Sequence, residues 1–167
     1  MYYFVSARLD SKQREERSML FGSVRDGFRR IKTHTWETKV GSLTEVPVAT
    51  IPFIRTPFHL SYLLFLSRYS PLLANSYLQI ATTLCRITGV RPSFLLHSLD
   101  FAEPENAPEL AFFPGMQLSL EHKLQVADSA IRILKRSFDL QSMERYTESW
   151  AQSRKRAGSG TRALPTQ

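Results

Sequence analysis

The chain has 167 residues, which is enough for one domain with a hydrophobic core. Its composition, 43% hydrophobic and 22% charged, lies in the ordinary range of soluble globular proteins. The single cysteine, Cys85, excludes an internal disulfide and a multi-cysteine zinc site.

The formal net charge of +7 is concentrated towards the two ends of the chain. Residues 153–167 hold four basic and no acidic residues, and a second basic excess surrounds Arg29 and Arg30. The span 40–152 is close to neutral, with nine basic against ten acidic residues. Because a nucleic-acid-binding domain usually spreads its basic charge over a folded face, this distribution argues against nucleic acid as a partner.

Neither a secretory signal nor a transmembrane segment is recognisable. The apolar start, residues 1–5, is too short for a signal and lacks a preceding basic segment. Residues 69–85 carry no charge, but Asn75, Gln79 and other polar side chains make them too polar for a membrane-spanning helix. The sequence therefore predicts a soluble protein and favours the cytoplasm.

In the first part of the chain, the sequence predicts one strand before and one strand after a polar segment. Residues 2–9 alternate weakly and predict a strand, and residues 11–30 predict a polar helix or a solvated loop. Residues 43–51 alternate with period two and are rich in β-branched side chains. They predict a further strand, which Pro47 confines to an edge or a bulge.

Two helices and a buried strand are expected next. Residues 60–68 predict an apolar helix. A second helix begins at Pro71 and ends at Thr88-Gly89, because glycine commonly ends helices. The apolar run 94–96 predicts a buried strand that ends at His97.

The last third of the chain predicts mostly helix. An acidic loop over 103–109 precedes a helix whose N-cap is Ser119. Residues 138–143 predict a short strand, and a short helix follows to about Ala151. The predicted buried stripe of the Ser119 helix consists of Leu120, Leu124, Ala127, Ile131 and Leu134.

The order of these elements predicts an α/β fold. Strands that alternate with helices imply βα units and a largely parallel sheet, here over residues 1–152. Residues 153–167 are dominated by Gly, Ser, Arg and Thr and contain too few apolar side chains for a core. They predict a disordered basic tail.

The polar residues after the run 94–96 are the main candidates for chemistry. His97 stands where a buried strand would end, and Asp100 follows it in the next loop. In α/β folds, side chains at strand ends are held rigidly beside the loops that form a pocket. Asp100 either orients the His97 imidazole or caps the following turn. Glu45 and His59 are possible pocket-lining residues, against the ordinary alternatives of a solvated glutamate and a hydrogen-bonded loop histidine.

Four segments in the same order resemble the C-terminal half of polysaccharide deacetylases. They are residues 43–52 (LTEVPVATIP), 55–59 (RTPFH), 95–101 (LLHSLDF) and 109–116 (ELAFFPGM). The resemblance extends from about Phe21 to Trp150. It implies a distorted (β/α) barrel, of which this chain would form the C-terminal half.

That resemblance implies metal-assisted hydrolysis of N-acetyl groups on a glycan or a lipid-linked sugar. In the family, an Asp and two His hold a divalent metal, usually zinc, which activates a water molecule whose proton a second Asp accepts. A histidine preceded by leucine in an apolar strand protonates the leaving amine. Only this last role carries over, to His97.

The other catalytic parts of that family have no counterpart in the sequence. The chain contains no adjacent pair of aspartates and no two histidines spaced i and i+4. The arginine loop that orients the family's base is not recognisable either. We therefore expect a truncated or split-off fragment that encodes no metal site and is inactive alone. It is also expected to pair with an N-terminal half or to form a homo-oligomer.

A different class of function stays open. A small α/β module with basic ends is also suited to binding a polyanion or a protein without any catalysis. Salt-sensitive binding that is independent of His97 would favour this alternative.

Overall fold

A β-hairpin opens the part of the chain that the computed structural model describes, which comprises residues 30–105, 108 and 115–159. Strands β1 (His34–Thr38) and β2 (Gly41–Glu45) pair antiparallel, with Trp36 opposite Leu43. The two-residue turn between them ends at Gly41, whose φ of 135° favours glycine. The strand predicted over residues 2–9 and the polar helix or loop predicted over 11–30 lie, except for Arg30, outside the described residues.

The strand predicted over 43–51 is correct only at its start. Regular pairing ends at Glu45, and Pro47 has no N–H with which to continue it. Beyond it, Val48 forms an isolated parallel bridge with Ser93, and Thr50 forms an antiparallel bridge with Pro57. These bridges fix the path of the chain into the first helix.

The two helices predicted after Pro57 are confirmed. Helix α1 spans Leu60–Ser67, and helix α2 spans Pro71–Ile87, with the proline in its first turn, where no N–H is needed. Gly89 ends α2 with a φ of 64°, and the Val90 N–H donates to the Cys85 carbonyl at 2.8 Å. This is the hydrogen-bond pattern expected of a helix that ends at glycine.

Helix α3 spans Leu120–Ser137 and begins after the predicted N-cap. The Ser119 hydroxyl accepts the His122 N–H at 3.3 Å. Its buried face differs from the predicted stripe, because Leu120, Leu124 and Ile131 are exposed. Ala127 and Leu134 of the predicted stripe are buried. The other buried residues of the helix are Lys123, Val126, Ala130 and Ile133.

The core of the first unit, which ends at Ser137, lies between these three helices. Helices α1, α2 and α3 pack against one another, and a short 3-10 helix, Ser98–Phe101, packs against α1 and α3. Helix α1 is apolar around its circumference and is therefore buried on most sides. The largest fully buried apolar side chains are Phe58, Leu60, Leu63, Leu64, Leu78, Cys85 and Met116.

The strand predicted over 94–96 is wrong. None of residues 94–96 forms a β-bridge, the one bridge of this segment being that of Ser93, and Leu96 is exposed rather than buried. The chain stays extended to His97 and then turns into the 3-10 helix. Within the described residues the only multi-residue pairing is the antiparallel hairpin, so the prediction of a largely parallel sheet is also wrong there. The fold is mixed α and β.

The second unit begins at Phe138 and contains helix α4, Met143–Ser159. The strand predicted over 138–143 is wrong, because Ser142 caps a helix there and its hydroxyl accepts the Arg145 N–H at 3.3 Å. The helix passes Ala151, where its end was predicted, and also Ser153, where the basic tail was predicted to begin. Residues 160–167 lie outside the described residues. Nowhere in the described chain is a helix both long and apolar enough to cross a membrane.

Candidate functional site

His97 and Asp100 stand together at the start of the 3-10 helix. The Asp100 carboxylate accepts the backbone N–H of His97 at 2.9 Å, and the Asp100 N–H donates to the His97 carbonyl at 3.0 Å. Asp100 is buried, whereas the His97 side chain is 44% exposed. Of the two alternatives for Asp100 that the sequence leaves open, the structure shows the turn cap, and the carboxylate lies beside the imidazole without a direct hydrogen bond to it.

Ser61 brings helix α1 into the same group. Its hydroxyl donates to Asp100 Oδ1 at 2.5 Å, and its Oγ lies 3.2 Å from His97 Nδ1. Asp100 Oδ2 lies 3.6 Å from the same nitrogen, which is too long for a hydrogen bond. The Leu60 N–H donates to the Leu95 carbonyl at 3.1 Å, and this bond holds the first turn of α1 against the segment that carries His97.

Ser61, His97 and Asp100 do not form a nucleophilic triad. In a triad the histidine lies between the hydroxyl and the carboxylate and bonds each through a different ring nitrogen. Here the hydroxyl donates directly to the carboxylate, and both groups lie on the Nδ1 side of the ring. Ser61 is also buried. The exposed imidazole is therefore the group available for chemistry.

His59 completes what we call the His97 cluster, namely His59, Ser61, His97 and Asp100. It is the N-cap residue of α1, and its ring lies edge-on to that of His97, with centroids 5.6 Å apart. The ring is buried, and its Nδ1 has no hydrogen-bond partner among the described residues. Burial lowers the pKa of His59, and the neighbouring His97 lowers it further. Both effects favour the neutral form of the His59 ring, which lies beside the more exposed ring of His97.

A pair of stacked tyrosines also lies next to His59. The His59 and Tyr62 rings meet edge-on at 6.0 Å, and Tyr62 stacks on Tyr77 at 5.7 Å. The Tyr77 hydroxyl donates to the Pro57 carbonyl at 3.0 Å, and burial raises its pKa. This contact fixes the backbone two residues before His59.

Lys123 supports the cluster from helix α3. Its side chain is completely buried, and its ammonium donates to the carbonyls of Ala102 and Met116. Burial lowers its pKa, while Glu103 and Asp100 oppose that shift. Because Ala102 directly follows the 3-10 helix, Lys123 anchors the end of the element that carries Asp100.

Glu45 makes its contacts within the hairpin. Its carboxylate accepts the Trp36 indole N–H at 2.5 Å and lies 3.4 Å from the His34 imidazole. It is partly buried on β2. None of these contacts connects it with the His97 cluster.

Sequence reasoning missed Ser61 and Lys123. The signal for Ser61 was its place in α1, where it and Ser67 are the only small polar residues on an otherwise apolar helix. A hydroxyl on a buried helix needs a partner, and this requirement could have identified it. Lys123 gave no such signal, because lysine on an amphipathic helix normally faces solvent.

The described residues do not fit the metal that the sequence resemblance implies. Among residues 30–105, 108 and 115–159, no three His, Cys, Asp or Glu side chains converge so that they could hold a metal ion. Both Asp100 oxygens already accept hydrogen bonds, from Ser61 and from the His97 backbone. We therefore derive no step through a metal held by these residues.

Comparison of the chain with protein-family models, with curated proteins and with solved structures gave no match. The family resemblance of the four sequence segments therefore stays a hypothesis. The functional argument depends on the geometry of the His97 cluster.

Proposed function

We propose that this chain supplies the proton donor of a site that resembles that of polysaccharide deacetylases. The reaction would be hydrolysis of an N-acetyl group on a glycan or a lipid-linked sugar. His97 would act as the general acid. The observation that carries the proposal is the position of His97, whose ring is held on its Nδ1 side by buried groups while the side chain remains 44% exposed.

The chemistry of amide hydrolysis explains why such a residue is needed. When the C–N bond breaks, the leaving amine must take up a proton, and a positioned imidazole can deliver one near neutral pH. A general acid must keep its orientation while one ring nitrogen faces the substrate. Ser61 and Asp100 provide the first condition, and exposure of the ring provides the second.

The half-barrel fold is part of the same proposal. It is supported by the parallel bridge between Val48 and Ser93, because both helices α1 and α2 lie between these two residues in the chain. The bridge is a single residue pair, and its parallel direction with helices in the crossover is the arrangement that repeats in a (β/α) barrel. The metal and the general base of the family would come from residues other than the described ones.

The test is acetate release from a chitooligosaccharide. We expect none from the purified chain. We expect release when the chain replaces the C-terminal half of a characterised deacetylase that keeps its own metal-binding half. In this chimera, His97→Ala should lower the rate about 10²–10⁴-fold, the range expected for loss of a general acid.

His122→Ala is the matched control, because His122 bonds Ser67 on the same helix α1 and lies outside the His97 cluster. It should leave the rate of the chimera within about twofold of the unsubstituted protein, because it removes no contact of the His97 cluster. An active chimera whose rate is unaffected by His97→Ala would refute the assigned role. A chimera that folds, binds metal and releases no acetate would refute the family assignment.

A further inference from the structure

The hydrogens of the His97 cluster can be assigned by counting donors and acceptors. The Ser61 hydroxyl has one proton, and it donates that proton to Asp100 Oδ1. Its oxygen can therefore only accept from His97 Nδ1, which lies 3.2 Å away. This contact is a hydrogen bond only when Nδ1 carries the proton, and the nearby Asp100 N–H bonds the His97 carbonyl rather than the ring.

We infer that Ser61 is a positioning residue that fixes His97 in the tautomer with its proton on Nδ1. Ser61 is the only acceptor within hydrogen-bond distance of Nδ1 among the described residues, because the Asp100 oxygen on that side is 3.6 Å away. Asp100 acts through Ser61, since its carboxylate orients the hydroxyl. The carboxylate and the imidazole are thus linked by a hydroxyl from a different helix.

This tautomer determines which His97 atom exchanges protons. With Nδ1 protonated, Nε2 carries the lone pair in the neutral ring and takes up the additional proton in the charged ring. The proton that His97 gives to a leaving group therefore departs from Nε2, and Nδ1–H is retained throughout. The relevance to catalysis rests on the proposed function, but the tautomer itself does not.

Nitrogen NMR of the ¹⁵N-labelled chain reads the tautomer directly. At a pH of about 9, where an ordinary histidine is neutral, each ring nitrogen resonates as protonated or unprotonated. In the unsubstituted chain, His97 Nδ1 should be of the protonated type and Nε2 of the unprotonated type. Ser61→Ala should lower the ratio of the Nδ1–H to the Nε2–H form about fivefold, the factor that corresponds to one lost hydrogen bond.

The chain offers a matched control on the same helix. Ser67 is also a buried serine of α1, and its hydroxyl donates to the Leu64 carbonyl and lies 3.0 Å from His122 Nε2. Ser67→Ala should change the nitrogen signals of His122 and leave those of His97 unchanged. Ser61→Ala should do the opposite. If each substitution changes the signals of its own histidine alone, the effect is local and does not result from general destabilisation of the fold.

Two results would overturn the inference: His97 with its proton on Nε2 in the unsubstituted chain, or a folded Ser61→Ala variant with an unchanged tautomer. If Ser61→Ala does not fold, Ser61→Cys takes its place, because a thiol is a weak acceptor of nearly the same shape. The spectra need neither substrate nor metal. The tautomer can therefore be confirmed even if the chimera shows no role for His97, and the proposed function can fail independently.

Discussion

At the scale of single residues, His59 is the least satisfied polar group in the described part of the chain. Its Nδ1 is buried without a hydrogen-bond partner there, and the ring is surrounded by His97, Tyr62 and Asp100. A buried polar atom that makes no hydrogen bond reduces stability by about 1–3 kcal/mol. An apolar ring at this position would remove that penalty.

His59 should make the stability of the fold depend on pH. Its pKa is lowered in the folded chain, first by burial and then by His97, so the unfolded state binds more protons. The stability is therefore fully present above the unfolded pKa of about 6.5 and decreases as the pH falls through the folded pKa. We expect denaturant unfolding to show a loss between pH 7.5 and pH 5 that is smaller in His59→Phe.

His122→Gln is the control for this prediction, since it also removes one histidine but acts at the contact with Ser67. It should keep more of the pH dependence than His59→Phe does. Equal pH dependence in His59→Phe and the unsubstituted chain would show that the unfolded and folded pKa values of His59 do not differ.

At the scale of elements, Lys123 explains why helix α3 faces the core differently from its predicted stripe. The predicted stripe placed leucines and Ile131 inside. The structure instead buries Lys123, whose ammonium bonds two backbone carbonyls. A lysine stem covers apolar surface while its charge is compensated by those carbonyls. Leu124 lies beside Lys123 in sequence and is consequently exposed.

Removing the Lys123 ammonium should destabilise the fold. Lys123→Met keeps a long apolar stem but leaves the carbonyls of Ala102 and Met116 without this donor, so we expect a loss of about 1–3 kcal/mol in the free energy of unfolding. Lys123→Ala also leaves a cavity and should lose more, about 2–5 kcal/mol. Lys135→Met on the exposed side of α3 is the control and should change stability by less than about 0.5 kcal/mol.

Chemical denaturation of the three variants measures these differences. A Lys123→Met variant that is as stable as the unsubstituted chain would mean that the cost of desolvating the ammonium cancels the gain from its two hydrogen bonds.

The elements that sequence predicted correctly are those with local signals. Pro71 and Gly89 bound α2, and Ser119 caps α3, because proline, glycine and N-cap serine act within one turn. A strand at 94–96 would need a neighbouring strand to pair with, and the sequence alone does not show whether one lies beside it. The site was predictable to the same extent: His97 and Asp100 are three residues apart, whereas Ser61 reaches them only through tertiary packing.

At the scale of the whole molecule, the hairpin leaves an apolar face exposed. Trp36 and Leu43 are cross-strand partners, so they lie on the same face of the hairpin, and Leu43 is 61% exposed. In the described residues, each of the two strands pairs only with the other, which leaves an unpaired edge on both sides. Exposed edges and apolar faces promote association.

We expect the isolated chain to self-associate as its concentration rises. Leu43→Lys should shift this association to higher concentration, because a charge on the apolar face must be desolvated when copies meet. Ser42→Lys adds the same charge to the opposite face of the same strand and should have a smaller effect. Sedimentation velocity over a concentration series measures the difference. A strictly monomeric chain with a sharp, cooperative melt would contradict both this prediction and the half-barrel proposal.

Cys85 is a natural chemical probe for the opening of the folded core. The thiol is buried in α2, and burial raises its pKa to about 11. Because a thiol reagent attacks the thiolate, the closed fold protects this sulfur both sterically and chemically. The sequence holds no second cysteine, so every modification event occurs at the same place. Cys85 becomes reactive when the helical core opens. The rate of its modification by a colour-forming thiol reagent therefore measures this opening without any engineered label.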